Sequence, residues 1–477
     1  MSIRKRVYKK IGIIRHIPPL KRLNRRIYFV FSNKLLTNNN ETHIAKKNRK
    51  KAFRMCVITT LQRKPLIIFG FRTIKEATMT QNLTRRSLVR SAVLAATMGG
   101  VSIISGCNNN AASQGKSDEL LVGVMGPFTG DVAQYGLAVR SGIELCVKQF
   151  NANGGAHGKQ VKLMVEDEKG DATEAKNVYE KMLDAGVVGI LGDVTSTPSV
   201  AVAQVSARDN MPLVSASATV PSFVTYGKNA FRATMTDAFQ GVVMAEFAKK
   251  QGYTTVGCIY NSGGDYEAGI DKIFEESCKK NGITVTSSQA YAAGDVDFNA
   301  QLTSILATSP KAIFCPNYYQ DSGKIITQAR QLGYKGVFLG ADGWANMIDG
   351  STQYASNEDL EGCFYDCAFI VENDNEAVKK FVADYTAEYS KPPTNFCALG
   401  YDAALILCSA LNTVEEKGGV SAGSDDYRQA VIDAIASGSV DGVTGAISFA
   451  GTGDPVKSTL VITFDKGHQK IFEEIKA

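Results

Sequence analysis

Gly189–Pro221, GILGDVTSTPSVAVAQVSARDNMPLVSASATVP, carries two short apolar runs, Val187–Leu191 overlapping its start and Pro212–Val214 near its end. An alanine-rich segment, Pro198–Asp209, lies between them. Apolar run, polar turn, helix and second apolar run is the pattern of a βαβ unit, so the stretch predicts parallel strands. Each run empties into small hydroxylated residues: Thr195, Ser196 and Thr197 after the first, Ser215, Ser217 and Thr219 after the second. In open parallel sheets ligands sit outside the carboxyl ends of the strands, where these hydroxyls fall. They suit a small polar ligand, and nothing beside them is built to break a bond.

The same grammar continues on both sides. The globular part starts at Leu120 with LLVGVMGP, and KLMVED, TTVGCIYN, ITVTSSQAY, AIFCPNYY and KGVFLGAD follow as apolar runs. Helical stretches between them, such as QGVVMAEFAKKQG and KIITQARQLG, finish at glycine, as helix C-termini tend to. This predicts an α/β protein with parallel sheets and more strands than one small sheet holds. After Gly362 come three further helical patterns, and the final GAISFAGTGDPVKSTLVITFDKGHQKIFE alternates and turns like β-hairpins.

A chain of 477 residues exceeds one ordinary domain. Its formal charge of +6 averages two unlike pieces. Residues 1–78 carry 21 Lys+Arg against 2 Asp+Glu, whereas the chain from Cys107 onward carries 29 against 45. The folded part is therefore acidic, which excludes nucleic acid as its partner. Only His157 and His468 lie beyond Cys107, so imidazole-based metal or acid–base chemistry has little to work with. Eight cysteines follow Cys107 without a CxxC pair; Cys146, Cys258, Cys315 and Cys408 sit in apolar contexts and read as small buried hydrophobes, and no disulfide framework is expected.

Residues 1–78 read as a basic extension outside the mature protein, because Met79 opens a second start. The stretch TQNLTRRSLVRSAVLAATMGGVSIISGC after it has a basic region at Arg85, Arg86 and Arg90 and an apolar stretch from Ala92 to Ile104. That stretch is too short for an ordinary spanning helix and suits a secretory signal over residues 79–106. Its end, Ile104-Ser105-Gly106-Cys107, resembles the lipobox of bacterial lipoproteins, which implies lipid attachment at Cys107. Arg85-Arg86 leaves the general and the twin-arginine export routes both open. Residues 107–117, small and polar, have the composition of a flexible tether.

VGVMGPFTGDVAQYG, FNANGGAHGKQVKLMVEDE, ILGDVTST, PLVSASATVP, FRATMTD, DYEAGI, QARQLGY, FLGADGWAN and GYDAALIL follow one another along the chain. On these stretches the chain, from about Glu119 to Phe472, resembles the extracytoplasmic solute-binding proteins of branched-chain amino-acid ABC transporters. The resemblance implies the type 1 periplasmic binding protein fold: two Rossmann-like α/β lobes with parallel central sheets, joined by a three-segment hinge and closing on a ligand. Lobe 1 is expected over 118–234 and 367–444, and lobe 2 over 235–366 and 445–477. The crossings are expected near Arg232–Thr236, Cys363–Ala368 and Val443–Ile447.

The resemblance also implies roles. Ser196 should bond the ligand α-carboxylate; Ser217 through its backbone, the adjoining Ala218, and Thr219 through amide and hydroxyl should share carboxylate and ammonium. Lobe 2 should supply Tyr318 and Asp342, with Asp342 replacing the glutamate that pairs with the α-ammonium in the branched-chain prototype. Tyr135, Thr195, Tyr266 and Tyr401 should flank the ligand side chain, and Trp344 is a further candidate. Elementary chemistry agrees, since a desolvated zwitterion needs donors at one end and a carboxylate at the other.

The expected function is capture of a free amino acid, branched-chain or otherwise hydrophobic, and its delivery to the permease of an ABC importer. A monomer held to the extracytoplasmic membrane face by lipid is expected, with no cofactor, no metal and no catalysis. A ligand-sensing receptor component on the same fold is the alternative. A hydrolase is disfavoured by the lack of a GxSxG elbow, an HExxH motif or a Cys/His couple.

Overall fold

A computed structural model describes residues 119–348 and 354–476. The basic extension, the signal, the tether and Cys107 lie outside the described residues. The first sheet is built in chain order from β1 (Glu119–Gly126), α1 (Ala133–Ala152), β2 (Gln160–Asp167), α2 (Ala172–Asp184), β3 (Ile190–Leu191), α3 (Ser196–Ser206), β4 (Leu213–Ser215) and β5 (Ala230–Arg232). Its five strands are all parallel, in the order β2-β1-β3-β4-β5. The order reverses at β1, so a crevice opens outside the carboxyl ends of β1 and β3.

The second sheet repeats this wiring. It takes α4 (Asp237–Lys250), β6 (Thr255–Asn261), α5 (Asp265–Asn281), β7 (Thr284–Tyr291), α6 (Asn299–Leu306), β8 (Ala312–Phe314), α7 (Tyr319–Gln331), β9 (Val337–Leu339), α8 (Asn357–Leu360) and β10 (Phe364–Cys367). The strands β7-β6-β8-β9-β10 run parallel, and β13 (Thr459–Asp465) and β14 (His468–Ile475) extend the sheet antiparallel beyond β10. β13 and β14 form the expected hairpin. Lys466 and Gly467, both at positive φ, make a two-residue turn whose twist matches its strands.

Between β10 and β13 the chain returns to the first sheet with α9 (Glu376–Tyr389), α10 (Asn395–Lys417), α11 (Asp425–Ser437) and the hairpin of β11 (Ser439–Gly442) and β12 (Gly445–Ser448). α10 is long and apolar enough to cross a membrane by composition alone, but it is a core helix packed along α1. Two glycines allow that approach. A Cβ on Gly142 would fall 2.0 Å from the Cys397 carbonyl oxygen, and one on Gly400 would fall 2.2 Å from that of Val139.

The chain passes between the sheets after β5, after β10 and before β13. The third passage falls later than expected. β12 pairs with β11, and Phe449 packs edge-on against Phe231 of the first sheet at 5.1 Å, so lobe 1 extends past residue 444 and the crossing lies between Ser448 and Thr459. The hairpin pattern was legible, but its partner sheet depends on tertiary packing.

Buried charge ties the passages together. The fully buried Arg232 guanidinium pairs with Asp454 at 2.7 Å and donates to the Ala218 and Val220 carbonyls at 2.5 and 2.9 Å. Lys457 donates to the Ala233 carbonyl at 2.9 Å, joining the first passage to the third. Burial pulls the Lys457 ammonium down to about 8, with Asp402 opposing. The cysteines from Cys146 to Cys408 are buried free thiols.

Candidate functional site

The two switch points face each other, and the residues at the strand ends line one closed cavity. From lobe 1 come Tyr135, Val194, Thr195, Ser196, Ser217, Thr219 and Phe396. From lobe 2 come Tyr266, Tyr318, Asp342 and Gly343. The lobes are drawn together so tightly that about 10 Å³ stays open between these groups. That is roughly the space of one water, so a ligand must part them.

The lobe 1 wall is an arrangement of spare donors. Thr195 is the N-cap of α3 but its side chain makes no capping bond, which leaves the Ser196 and Thr197 amides of the first turn without a side-chain cap. Ser215 fixes the turn after β4: its hydroxyl donates to the Asp193 carbonyl at 2.6 Å and receives the Ala218 amide at 2.9 Å. The Ser217 hydroxyl donates to the Val194 carbonyl at 2.7 Å, so Ser217 is left with its carbonyl to offer. The buried Thr219 hydroxyl lies beside the Asp237 carboxyl and is otherwise unpartnered.

Phenols and carboxyls make the lobe 2 wall. The Tyr266 hydroxyl donates to Asp342 Oδ1 at 3.0 Å and receives the Gly343 amide at 3.1 Å. Its ring stacks on Tyr318 with centroids 5.1 Å apart. The Asp342 amide donates to Gln240 Oε1 at 3.0 Å. Tyr318 reaches across the cleft until its hydroxyl lies beside the Ser196 amide.

Several bonds hold the lobes shut. Tyr135 of lobe 1 donates to the Gly343 carbonyl at 2.5 Å and accepts the Tyr319 amide at 3.2 Å. Thr197 donates to Asp265 at 2.9 Å, and the Tyr319 hydroxyl donates to the Asp131 carbonyl at 3.0 Å. Beyond Thr195 and Tyr318 a groove of about 550 Å³ leads outward between Lys169, Glu267 and Lys324.

Two buried acids at the floor are driven apart. Burial raises the Asp342 carboxyl to about 6, opposed by bonds from Tyr266, Gln240 and the Gly343 amide. Burial raises Asp237 further, to about 8, with the Asp342 charge adding and Thr219 and Arg232 opposing. At neutral pH one is a carboxylate and the other a neutral acid. The site thus offers a cation one carboxylate, at Asp342, together with the Ser217 carbonyl.

Eight of the residues expected from the sequence meet at this cavity: Tyr135, Thr195, Ser196, Ser217, Thr219, Tyr266, Tyr318 and Asp342. Three do not. The Ala218 amide is taken by Ser215 and its carbonyl by Arg232. Trp344 turns into the lobe 2 core, where its indole donates to the Cys315 carbonyl at 2.9 Å. Tyr401 donates to Gln149 at 2.7 Å and packs on Phe381. Phe396, at the start of α10, takes the place expected for Tyr401, since five residues turn a helix by about 140°. Asp237 and Gln240 also went unread; the only signal is the Thr236 N-cap that starts α4 and fixes their position.

The model of a family described as periplasmic binding protein matches residues 119–469. The Leu/Ile/Val-binding protein BraC3 of Rhizobium johnstonii is 27% identical over 342 residues, covering 70% of this chain and 89% of the relative. The leucine-, isoleucine-, valine-, threonine- and alanine-binding protein of Pseudomonas aeruginosa is 26% identical, covering 71% and 87%. Among solved structures, the leucine-binding protein LivK of Thermotoga maritima matches with a TM-score of 0.67 at 30% identity, covering 75% of this chain and 99% of that one. LivJ of Streptococcus pneumoniae, solved in complex with isoleucine, matches with a TM-score of 0.66 at 30% identity, with the same coverage. Two sheets whose parallel strands are wired alike, three passages between them and a cavity at their facing switch points agree with these likenesses. The chain belongs to the periplasmic binding protein family.

Proposed function

We propose that this protein captures a free amino acid with a branched-chain or other hydrophobic side chain between its two lobes and delivers it to the permease of an ABC importer. The observation that carries this is the opposition across one cavity of the uncapped N-terminus of α3 on lobe 1 and the Asp342 carboxyl on lobe 2. The first suits an α-carboxylate and the second an α-ammonium. Aromatic rings of Tyr135, Tyr266, Tyr318 and Phe396 surround the remaining volume, which favours an apolar side chain. Ser196 serves the carboxylate, Ser217 and Thr219 share the two α-carbon groups, and Thr195 flanks the side chain. Occupancy is signalled because both lobes must touch the ligand for closure to be favoured. Lipid attachment at Cys107 holds the protein at the extracytoplasmic membrane face, and it works as a monomer without catalysis.

A thermal-shift screen of the purified protein against the twenty amino acids tests the ligand class. Leucine, isoleucine or valine at about 100 times Kd should stabilise the native state by about 2.7 kcal/mol. A response confined to charged amino acids, or none at all, overturns the reading. For the anchor, labelling with a radioactive fatty acid should mark the wild type and leave Cys107→Ala unmarked.

A further inference from the structure

Away from the cleft, α5 lays two acids against a cysteine on β6. Asp271 and Glu275 stand four residues apart and so share one face of the helix. Cys258 and Tyr260 alternate along β6 and face the same side of the sheet. The Cys258 sulfur and one carboxylate oxygen each from Asp271 and Glu275 lie within 4.8 Å of one another. Cys258 and Asp271 are buried, and Asp271 Oδ1 has no hydrogen-bond partner. Glu275 and Tyr260 are half-buried, which gives the cluster a route to solvent.

We propose that Cys258, Asp271 and Glu275 bind a divalent cation of the zinc class, with the fourth position open to water. One thiolate beside two carboxylates suits a borderline-soft ion better than magnesium or calcium, which take oxygen ligands alone. The Cys258 thiol gives its proton to solvent as the ion binds. The ion would pin α5 to β6, and α5 presents Tyr266 to the cleft, so the metal braces the lobe 2 wall without touching the amino acid.

Cobalt(II) added to the full chain reports a thiolate ligand through a charge-transfer band in the near ultraviolet. The wild type should take up one equivalent of cobalt with this band, and zinc should displace it and raise the melting temperature. Cys258→Val should abolish the band, and Asp271→Asn should weaken zinc binding at least about tenfold. Retained leucine binding by both variants shows that they fold. Cys278→Ala, which removes the neighbouring thiol on α5, should leave the band intact. A band that persists in Cys258→Val and vanishes in Cys278→Ala overturns the assignment, as does a wild type that binds neither ion.

Discussion

The two lobes share one wiring, an order reversal at the first strand with the crevice at its carboxyl end, yet they face the cleft with opposite chemistry. Lobe 1 presents helix amides and hydroxyls after β3 and β4. Lobe 2 presents phenols and a carboxylate after β8 and β9. The topology explains where ligand groups can sit and is silent on what they are. On the function proposed above, side chains at matching strand ends make one lobe the carboxylate side and the other the ammonium side, and a zwitterion is the ligand that satisfies both at once.

Removing the cation half should have the largest effect. Asp342→Ala leaves a desolvated ammonium unpaired and should weaken amino-acid binding by about 2–5 kcal/mol in calorimetry. Unchanged affinity would take Asp342 out of the site and dissolve the contrast between lobes. Arg232→Met attacks the other wall through its support. It orphans the Ala218 and Val220 carbonyls, and should lower unfolding stability in urea by about 3 kcal/mol while blurring the lobe 1 turn. A stable variant with normal binding would show that the lobe 1 wall holds itself.

Proton competition sharpens the same contrast. With Asp342 raised to about 6, the carboxylate that pairs with the ammonium is present above that pH and is lost as pH falls through it. Affinity should fall about tenfold for each unit below 6, as a single protonation requires. Asp342→Asn should lose this dependence, and a wild-type profile flat down to pH 4.5 would contradict it. The smallest effect belongs to Tyr401→Phe. Its hydroxyl bonds Gln149 outside the cleft, so binding should change by less than about 0.5 kcal/mol.

The alternation of apolar runs and glycine-ended helices made both sheets legible in the sequence. The hydroxyls after β3 and β4 were legible too, because a strand end followed by a helix start places its side chains without help from the rest of the fold. Residues set by helix phase were not. Tyr401 and Phe396 lie on one helix about 140° apart, and the sequence carries no mark of which face meets the cleft. Trp344 sits two residues beyond Asp342, but the short helical turn at Asp342–Trp344 swings its indole into the core. Asp237 and Gln240 enter the site only because the first passage folds α4 beneath it, a long-range contact that no local pattern records.

Calorimetry with leucine and its deaminated analogue 4-methylpentanoate, on wild type and Asp342→Ala, tests the central claim most directly. The wild type should bind leucine more tightly by about 2–5 kcal/mol, and the variant should bind the two about equally. A preference for leucine that survives in Asp342→Ala would show that the ammonium is held elsewhere and that the division of labour between the lobes is wrong.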